Sequence, residues 1–307
     1  MHAHSPHTTP DTLSLVRQLI INADDFGLTS GVNRAIVELA HSGSLTSATL
    51  MASAPATAEA IRLALATPAL GVGCHVVLVD GVSCLDADAR RACPWIAQNN
   101  AALPAKPRQL LRALFAPGVS RSQREDFLEA EAYAQITRLQ QAGLTLTHID
   151  THKHLHQFPA ILRPVLRAAR RAGICRIRNP FEPRWSRALT PRVPIARRAE
   201  FRLLQFFRSS FLRSVAEAGF TTTNGAIGVL ATGSLDRALV ESLLAALPDG
   251  CWELVTHPGY SDSALAAIRT RLRASRQIEL AALAPVAQAT SLARIPFSAL
   301  PAPNHAP

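Results

Sequence analysis

The sequence predicts an α/β fold, parallel strands alternating with helices, organised as one domain. Two observations carry that expectation. Apolar runs rich in β-branched residues, such as Leu19-Ile20-Ile21, alternate along the chain with segments of helical period, the pattern of βα units wound around a mostly parallel sheet. The length of 307 residues is one that α/β barrels use as a single unit, and no boundary signal or fixed-length repeat interrupts the alternation. Hydrophobic residues make up 48% of the chain, ample for a large core. The domain is expected over 16–299, with tails at 1–15 and 300–307 that lack apolar anchors.

In order, the run at 19–22 leads into Ala23-Asp24-Asp25-Phe26-Gly27. Val32, Ala35, Ile36, Leu39 and Ala40 then share one helical face, with Thr29 or Ser30 as N-cap and Gly43 as the stop. Strands are expected at 46–52 and 70–78, separated by an Ala-rich helix near 56–66. Residues 79–107 are rich in acidic residues and proline and have little period, so they read as a long loop or insertion. A helix over 122–142 ends at Gly143, followed by strand 147–150, helix 159–172 and strand 175–179. Helices near 199–217, 235–246 and 262–282 alternate with strands near 224–230 and 252–257.

Composition excludes several classes. The first dozen residues have no apolar core of the kind a secretory signal needs, and no apolar run approaches the ~18 residues of a membrane-spanning helix. The five cysteines form no CxxC pair, which argues against a disulfide framework or a thiolate zinc site and suits a reducing cytoplasm. The formal charge of +10, dominated by arginine, points to anionic partners or surfaces. With aromatic residues at 5% and no nucleic-acid-binding motif, nucleic acid is not among them. There is no GxSxG elbow, Walker loop or Rossmann fingerprint, so serine esterase, kinase and dehydrogenase readings have no residues to carry them.

Four clusters carry chemistry. Asp24-Asp25 stands where the first strand should end; adjacent carboxylates there are costly unless they share a cation or proton, which suits a metal ligand beside a general base, although such a pair can also cap the next helix. His75 lies in an otherwise apolar strand, where a lone histidine is more often a satisfied core residue than a ligand. His148-Ile149-Asp150-Thr151-His152-Lys153-His154-Leu155-His156 concentrates four imidazoles and a carboxylate, and strand alternation would put them on one face. Alternate strand residues lie ~7 Å apart, so one or two of these histidines are ligands and the others bind substrate or support them. Thr256-His257-Pro258-Gly259 ends another expected strand and offers a general acid. Asp24, Asp25, His75, His152 and His257 thus all fall near the C-terminal ends of parallel strands, where barrel active sites assemble. One Asp and two His leave positions open on a metal for water and substrate, and hydrolysis is the natural chemistry.

INADDFGLTSGVN, the GCH of 73–75, THIDTHKHLH and the THP of 256–258 resemble the four marker segments of the YdjC-like carbohydrate deacetylases, in that family's order and spacing, with the likeness running from residue 18 to about 298. The resemblance implies a distorted (β/α) TIM-like barrel related to the polysaccharide deacetylases. It also implies a divalent-metal-dependent hydrolase that removes the N-acetyl group of an amino sugar. Carried over by residue, it assigns one divalent metal, Mg or Zn foremost and Mn, Co or Ni as alternatives, to Asp25, His75 and His152, with Asp24 as general base and His257 as general acid. VLVDG at 77–81, the HKH of 152–154 and NPFEP at 179–183 resemble the branch associated with hopanoid biosynthesis, implying a glycosylated, N-acetylated hopanoid lipid as substrate. Asp150 stands where that branch often has Asn. The alternatives are a soluble chito-oligosaccharide deacetylase and a noncatalytic, metal-dependent sugar-binding protein.

One further segment stands apart. Over 197–213, Leu203, Leu204, Phe207 and Phe211 would share a helical stripe flanked by Arg198, Arg202, Arg208 and Arg213, as in helices that lie on anionic membranes. A cytoplasmic enzyme peripheral to the inner membrane face is one expectation; an ordinary scaffold helix packing its stripe on the sheet is the other.

Overall fold

The computed structural model describes residues 17–91, 101–191, 193–288 and 292–301. Its centre is the strand β1 (Arg17–Phe26), in which every residue from Leu19 onward is buried, as befits a strand covered on both faces. β1 pairs in parallel with β2 (Ser47–Leu50) and β6 (Gly250–Thr256). The sheet order is β4-β3-β2-β1-β6-β5, with β3 at Gly71–Val76, β4 at Ile149–Thr151 and β5 at Gly225–Ile227, and the short β7 (Ala293–Arg294) pairs with the start of β1. The edges at β4 and β5 are linked by residues 175–178, which bridge in parallel to Ile149 on one side and to Thr221, just before β5, on the other. The sheet thereby curls into the distorted barrel expected from the sequence, with helices around it.

Local signals explain the helices. α1 (Ser30–His41) begins where the Thr29 side chain accepts from the Val32 amide at 3.2 Å, and its C-terminal turn passes into Gly43 at φ +76°. α2 is Thr57–Leu65, α3 Ala87–Arg91 and α4 Pro107–Leu114. α5 (Arg121–Gln141) opens with a reciprocal cap between Ser120 and Gln123, and α6 is Pro159–Arg171. No described helix is long and apolar enough to cross a membrane.

Five expectations are corrected. Residues 79–107 are not a plain loop: they hold α3 and run into α4, while 92–100 lie outside the described residues. Segment 175–179 forms isolated bridges rather than a full strand, one to Ile149 through Ile177 and one to Thr221 through Arg176. The helix expected over 199–217 is three pieces, α8 (Ile195–Leu204), a 3-10 turn at Gln205–Phe207 and α9 (Arg208–Glu217), preceded by the short α7 (Arg184–Leu189). After α10 (Arg237–Ala245), the helix expected over 262–282 splits into α11 (Ser263–Ala267) and α12 (Ala274–Leu283), because Ile268 is extended and turns the chain. Leu300, where the C-terminal tail was expected to start, is buried against Ile20 and Phe297, and Arg176 binds its carbonyl at 2.9 Å. The tail beyond 301 and the N-terminal tail lie outside the described residues.

Candidate active site

β1 delivers both aspartates because it is irregular at its end. In a regular strand, neighbours point to opposite faces. Here the register against β2 shifts between Ala23 and Phe26, and Asp25 takes a left-handed backbone, φ +66°, so both carboxylates reach the His75 imidazole. Four of the five described non-glycine residues with positive φ, Asp25, Asp80, Lys153 and His154, belong to this end of the barrel, where strained backbone points to function.

The first group is Asp25, His75 and His152. The Asp25 Oδ1 lies 3.6 Å from His75 Nε2 and 3.3 Å from His152 Nδ1, and the two nitrogens are 3.2 Å apart. Oδ1 is buried and has no hydrogen-bond donor, while the other oxygen, Oδ2, is held by Arg276. A buried carboxylate oxygen with no well-formed hydrogen bond, facing two imidazole nitrogens, is the arrangement a cation would complete. The separations also suit it, since donors ~2.1 Å from one ion lie roughly 3.0–3.4 Å from each other. A second potential ligand group, Asp24, His75 and Asp150, does not fit: Arg178 occupies both carboxylates, and Asp150 takes the remaining ring nitrogen of His75.

His75 is oriented from behind. Its Nδ1 lies 2.7 Å from Asp150 Oδ1 and 3.2 Å from Thr49 Oγ1, which fixes the tautomer so that Nε2 faces Asp25. In the metal-free protein burial lowers the basicity of His75, but the carboxylates of Asp150, Asp24 and Asp25 outweigh it and raise its pKa to about 9. Asp25 is held well below the usual carboxylate range: burial opposes this, and the Arg276 guanidinium with the two imidazoles overcomes it.

Arg178 is fully buried at the centre of the barrel. It grips Asp24 with two hydrogen bonds of 2.8 and 2.7 Å, donates from Nε to Glu253 at 2.7 Å, and also binds Asp150. Asn22 and Thr49 complete the shell of Asp24 at 2.9 and 3.3 Å. Burial opposes ionisation of Asp24, but Arg178 first, then His75 and His257, keep it an anion. Glu253 differs: burial dominates and pushes it up to about 7.

On the opposite wall, β6 ends at Thr256 and places His257 with Nε2 3.7 Å from Asp24 Oδ2. Its backbone amide donates to Glu279 of α12 at 2.5 Å, which fixes the loop that carries the ring. Burial depresses His257 to about 4, only partly countered by Asp24 and Asp25, and raises Glu279 to about 7. At the mouth, Asp80 binds Lys153 at 2.8 Å and Arg269 at 2.9 Å, tying the loops after β3, β4 and α11 together.

The histidine-rich segment does not remain a strand. β4 stops at Thr151, and 152–157 forms a 3-10 turn in which Lys153 and His154 are left-handed, so the alternation that would align the four imidazoles is lost. Only His152 joins the first group. His148 is buried, stacked on Phe297 with centroids 3.7 Å apart, and burial holds it neutral. His156 binds Thr151 Oγ1 at 2.7 Å, and burial lowers it to about 3. Neither these two nor His154 belongs to a potential ligand group among the described residues.

The profile of the YdjC-like protein family matches residues 18–294. The chain belongs to the YdjC-like family. Among curated relatives, a carbohydrate deacetylase of Geobacillus stearothermophilus is 40% identical over 155 residues, 50% of this chain and 57% of that protein. A carbohydrate deacetylase of Thermoanaerobacter pseudethanolicus is 25% identical over 269 residues, covering 86% of this chain and 89% of that one. A chitooligosaccharide deacetylase of Salmonella schwarzengrund is 34% identical over 52% of this chain and 58% of its own. The match thus spans little more than half of the first of these relatives and of the third. A crystal structure from Enterococcus faecalis V583, provisionally described as a cellobiose-phosphate cleavage protein, superposes with a TM-score of 0.69 over 92% of this chain at 21% identity, a likeness of fold.

In this YdjC-like chain the sequence reading located Asp24, Asp25, His75, His152 and His257, and the fold brings all five together. It missed Asp150 as the partner of His75, and Arg276, Glu253 and Glu279 altogether. The alternation of β6 could have placed Glu253 inside the barrel; for Arg276 and Glu279 on α12, no local signal exists. Arg178 and Glu182 are both buried and engaged within the protein, Glu182 by Ser186 and the Gly228 and Leu230 amides.

Proposed function

We propose that this chain hydrolyses the N-acetyl group of an amino-sugar substrate with one divalent ion held by Asp25, His75 and His152. The observation that carries the proposal is the buried, donorless Asp25 Oδ1 facing two imidazole nitrogens 3.2 Å apart. Two imidazoles and one carboxylate suit zinc better than magnesium. A divalent ion there supplies Lewis acidity toward an amide carbonyl and makes bound water more acidic.

The residues do the rest. Arg178 keeps Asp24 ionised and fixes its orientation while lowering its basicity; in this reading Oδ2, whose second lone pair is free of Arg178, takes the proton of the attacking water. His257, neutral at rest, gives a proton to the departing amine only after receiving one; its Nε2 lies 3.7 Å from Asp24 Oδ2. One proton leaves the water and one arrives at the amine, so the pair returns to its starting state, with acetate and a free amino sugar as products. The names of the relatives support a carbohydrate substrate. The finer reading, a glycosylated hopanoid, rests on the branch-like segments at 77–81, 152–154 and 179–183 alone.

The test is acetate release from an N-acetylglucosaminyl hopanoid and from diacetylchitobiose with added metals. We expect release by the wild type, none by Asp24→Asn with its metal retained, and none by His152→Ala with its metal lost. Whichever acceptor is preferred decides the substrate. No release from either under any metal, or full activity in Asp24→Asn, refutes the reading.

A further inference from the structure

The three most exposed large apolar side chains among the described residues all belong to one short stretch: Ile195 at 87%, Phe206 at 83% and Leu203 at 71%. A helical period places them within one arc of about 80°, and no residue of α8 is buried. The stripe read from the sequence is split by the fold. Phe211 of α9 is fully buried and Phe207 packs against Phe158, so α9 is scaffold while α8 stands on the surface with its own apolar ridge.

Beside that ridge lies a cleft of about 540 Å³ lined by Arg184, Arg187, Arg198 and Arg202, with Phe201, Gln205 and Leu230. Arg184, Arg198 and Arg202 make no ion pair or side-chain hydrogen bond among the described residues, and the Nε of Arg187 is buried without an acceptor. Four arginines line this cleft and no carboxylate residue does, a lining that suits an anion. The cleft is on the same side of the barrel as the active site. Phe201 packs against Ala226, Val229 and Val255, and Val255 lies two residues before His257 on β6.

We infer that α8 and the arginine-lined cleft are a docking surface for an anionic phospholipid membrane. Ile195, Leu203 and Phe206 enter the acyl boundary, and the arginines take the lipid phosphates. Each half of the arrangement explains the other: an apolar ridge alone fits any greasy partner, and arginines alone fit any anion. Exposed aliphatic and aromatic residues adjoining a multivalent phosphate-binding chemistry match the boundary between headgroup and acyl chain. The inference does not rest on the deacetylase reading, and its test uses no turnover.

The experiment is cosedimentation of the full-length protein with vesicles of phosphatidylcholine alone and of phosphatidylcholine with phosphatidylglycerol. Binding is expected only to the anionic vesicles and should weaken as salt rises. Leu203→Ser with Phe206→Ser should lower binding roughly tenfold or more. Arg198→Gln with Arg202→Gln should cost about fivefold per arginine. All four positions are on the surface, and unchanged circular dichroism and melting temperature confirm that the variants fold. Absence of binding, equal binding to neutral vesicles, or binding unaffected by either pair overturns the inference. So does a dimer in sedimentation velocity that Phe206→Ser dissolves, because the ridge is then covered by a second copy. Binding of inorganic phosphate in the cleft with no vesicle binding likewise overturns it in favour of a soluble anion.

Discussion

Replacing Arg178 with methionine tests the central electrostatic argument. The side chain is fully buried, and its guanidinium binds Asp24 twice, Glu253 and Asp150. Methionine keeps the apolar volume of the stem but leaves three carboxylates in one buried site without their shared cation. Removing one partner of a buried ion pair costs about 3–5 kcal/mol, and here one cation serves three anions, so the upper end applies at high pH. The loss should shrink in acid. Without Arg178 the carboxylates have raised pKa values in the folded state; Glu253 already stands at about 7 with the arginine present. A folded state that binds more protons than the unfolded one gains stability as pH falls. Urea denaturation followed by tryptophan fluorescence should therefore show a loss of about 5 kcal/mol at pH 8.5 and distinctly less at pH 5.5. A loss under ~1 kcal/mol, or one independent of pH, refutes the claim that Arg178 holds this network together.

Further predictions concern single contacts. Glu279 has its pKa raised from 4.5 to about 7 by burial, so its protonated form is favoured in the fold; its contribution is complete below pH 4.5 and is lost as pH rises through 7. Glu279→Gln can still accept from the His257 amide, and it should be more stable than the wild type by about 3 kcal/mol at pH 8.5 and comparable at pH 4.5. Zinc at about 100 times its dissociation constant should stabilise the wild type by about 2.7 kcal/mol, seen as a rise in melting temperature that is absent in His152→Ala; an equal rise in that variant removes His152 from the ligand set. A Cβ at Gly73 would stand 2.5 Å from the His148 ring, which Phe297 backs from the other side. Gly73→Ala should accordingly cost about 1–3 kcal/mol by overpacking, and a melting temperature equal to the wild type's would show that the ring can move.

How much of this was legible depends on the range of the interaction. Helix α1 could be read to within a residue or two because its signals, a cap at Thr29 or Ser30 and the Gly43 stop, lie within one turn of its ends. Helix α12 could not, because its start is set by the turn at 268–273 that lets Arg276 reach Asp25 across 251 positions of sequence. The expected strand through 148–156 failed for a related reason. Its composition fits an alternating strand, yet β4 has partners only as far as Thr151, and beyond the sheet edge the backbone is free to turn.

The sequence by itself determined the fold class and the family and singled out Asp24, Asp25, His75, His152 and His257 as candidates, since hydrophobic period and short motifs are local properties of a chain. The tertiary structure adds the contacts that set the two aspartates apart. A bulge at the end of β1 turns Asp25 toward His75 and His152 and leaves Asp24 to Arg178. It also decided that His148 and His156 are packing residues, and that α8 lies on the surface while α9 is part of the scaffold. These outcomes depend on which groups meet across the barrel, and burial and charge pairing are properties of that meeting rather than of any segment alone.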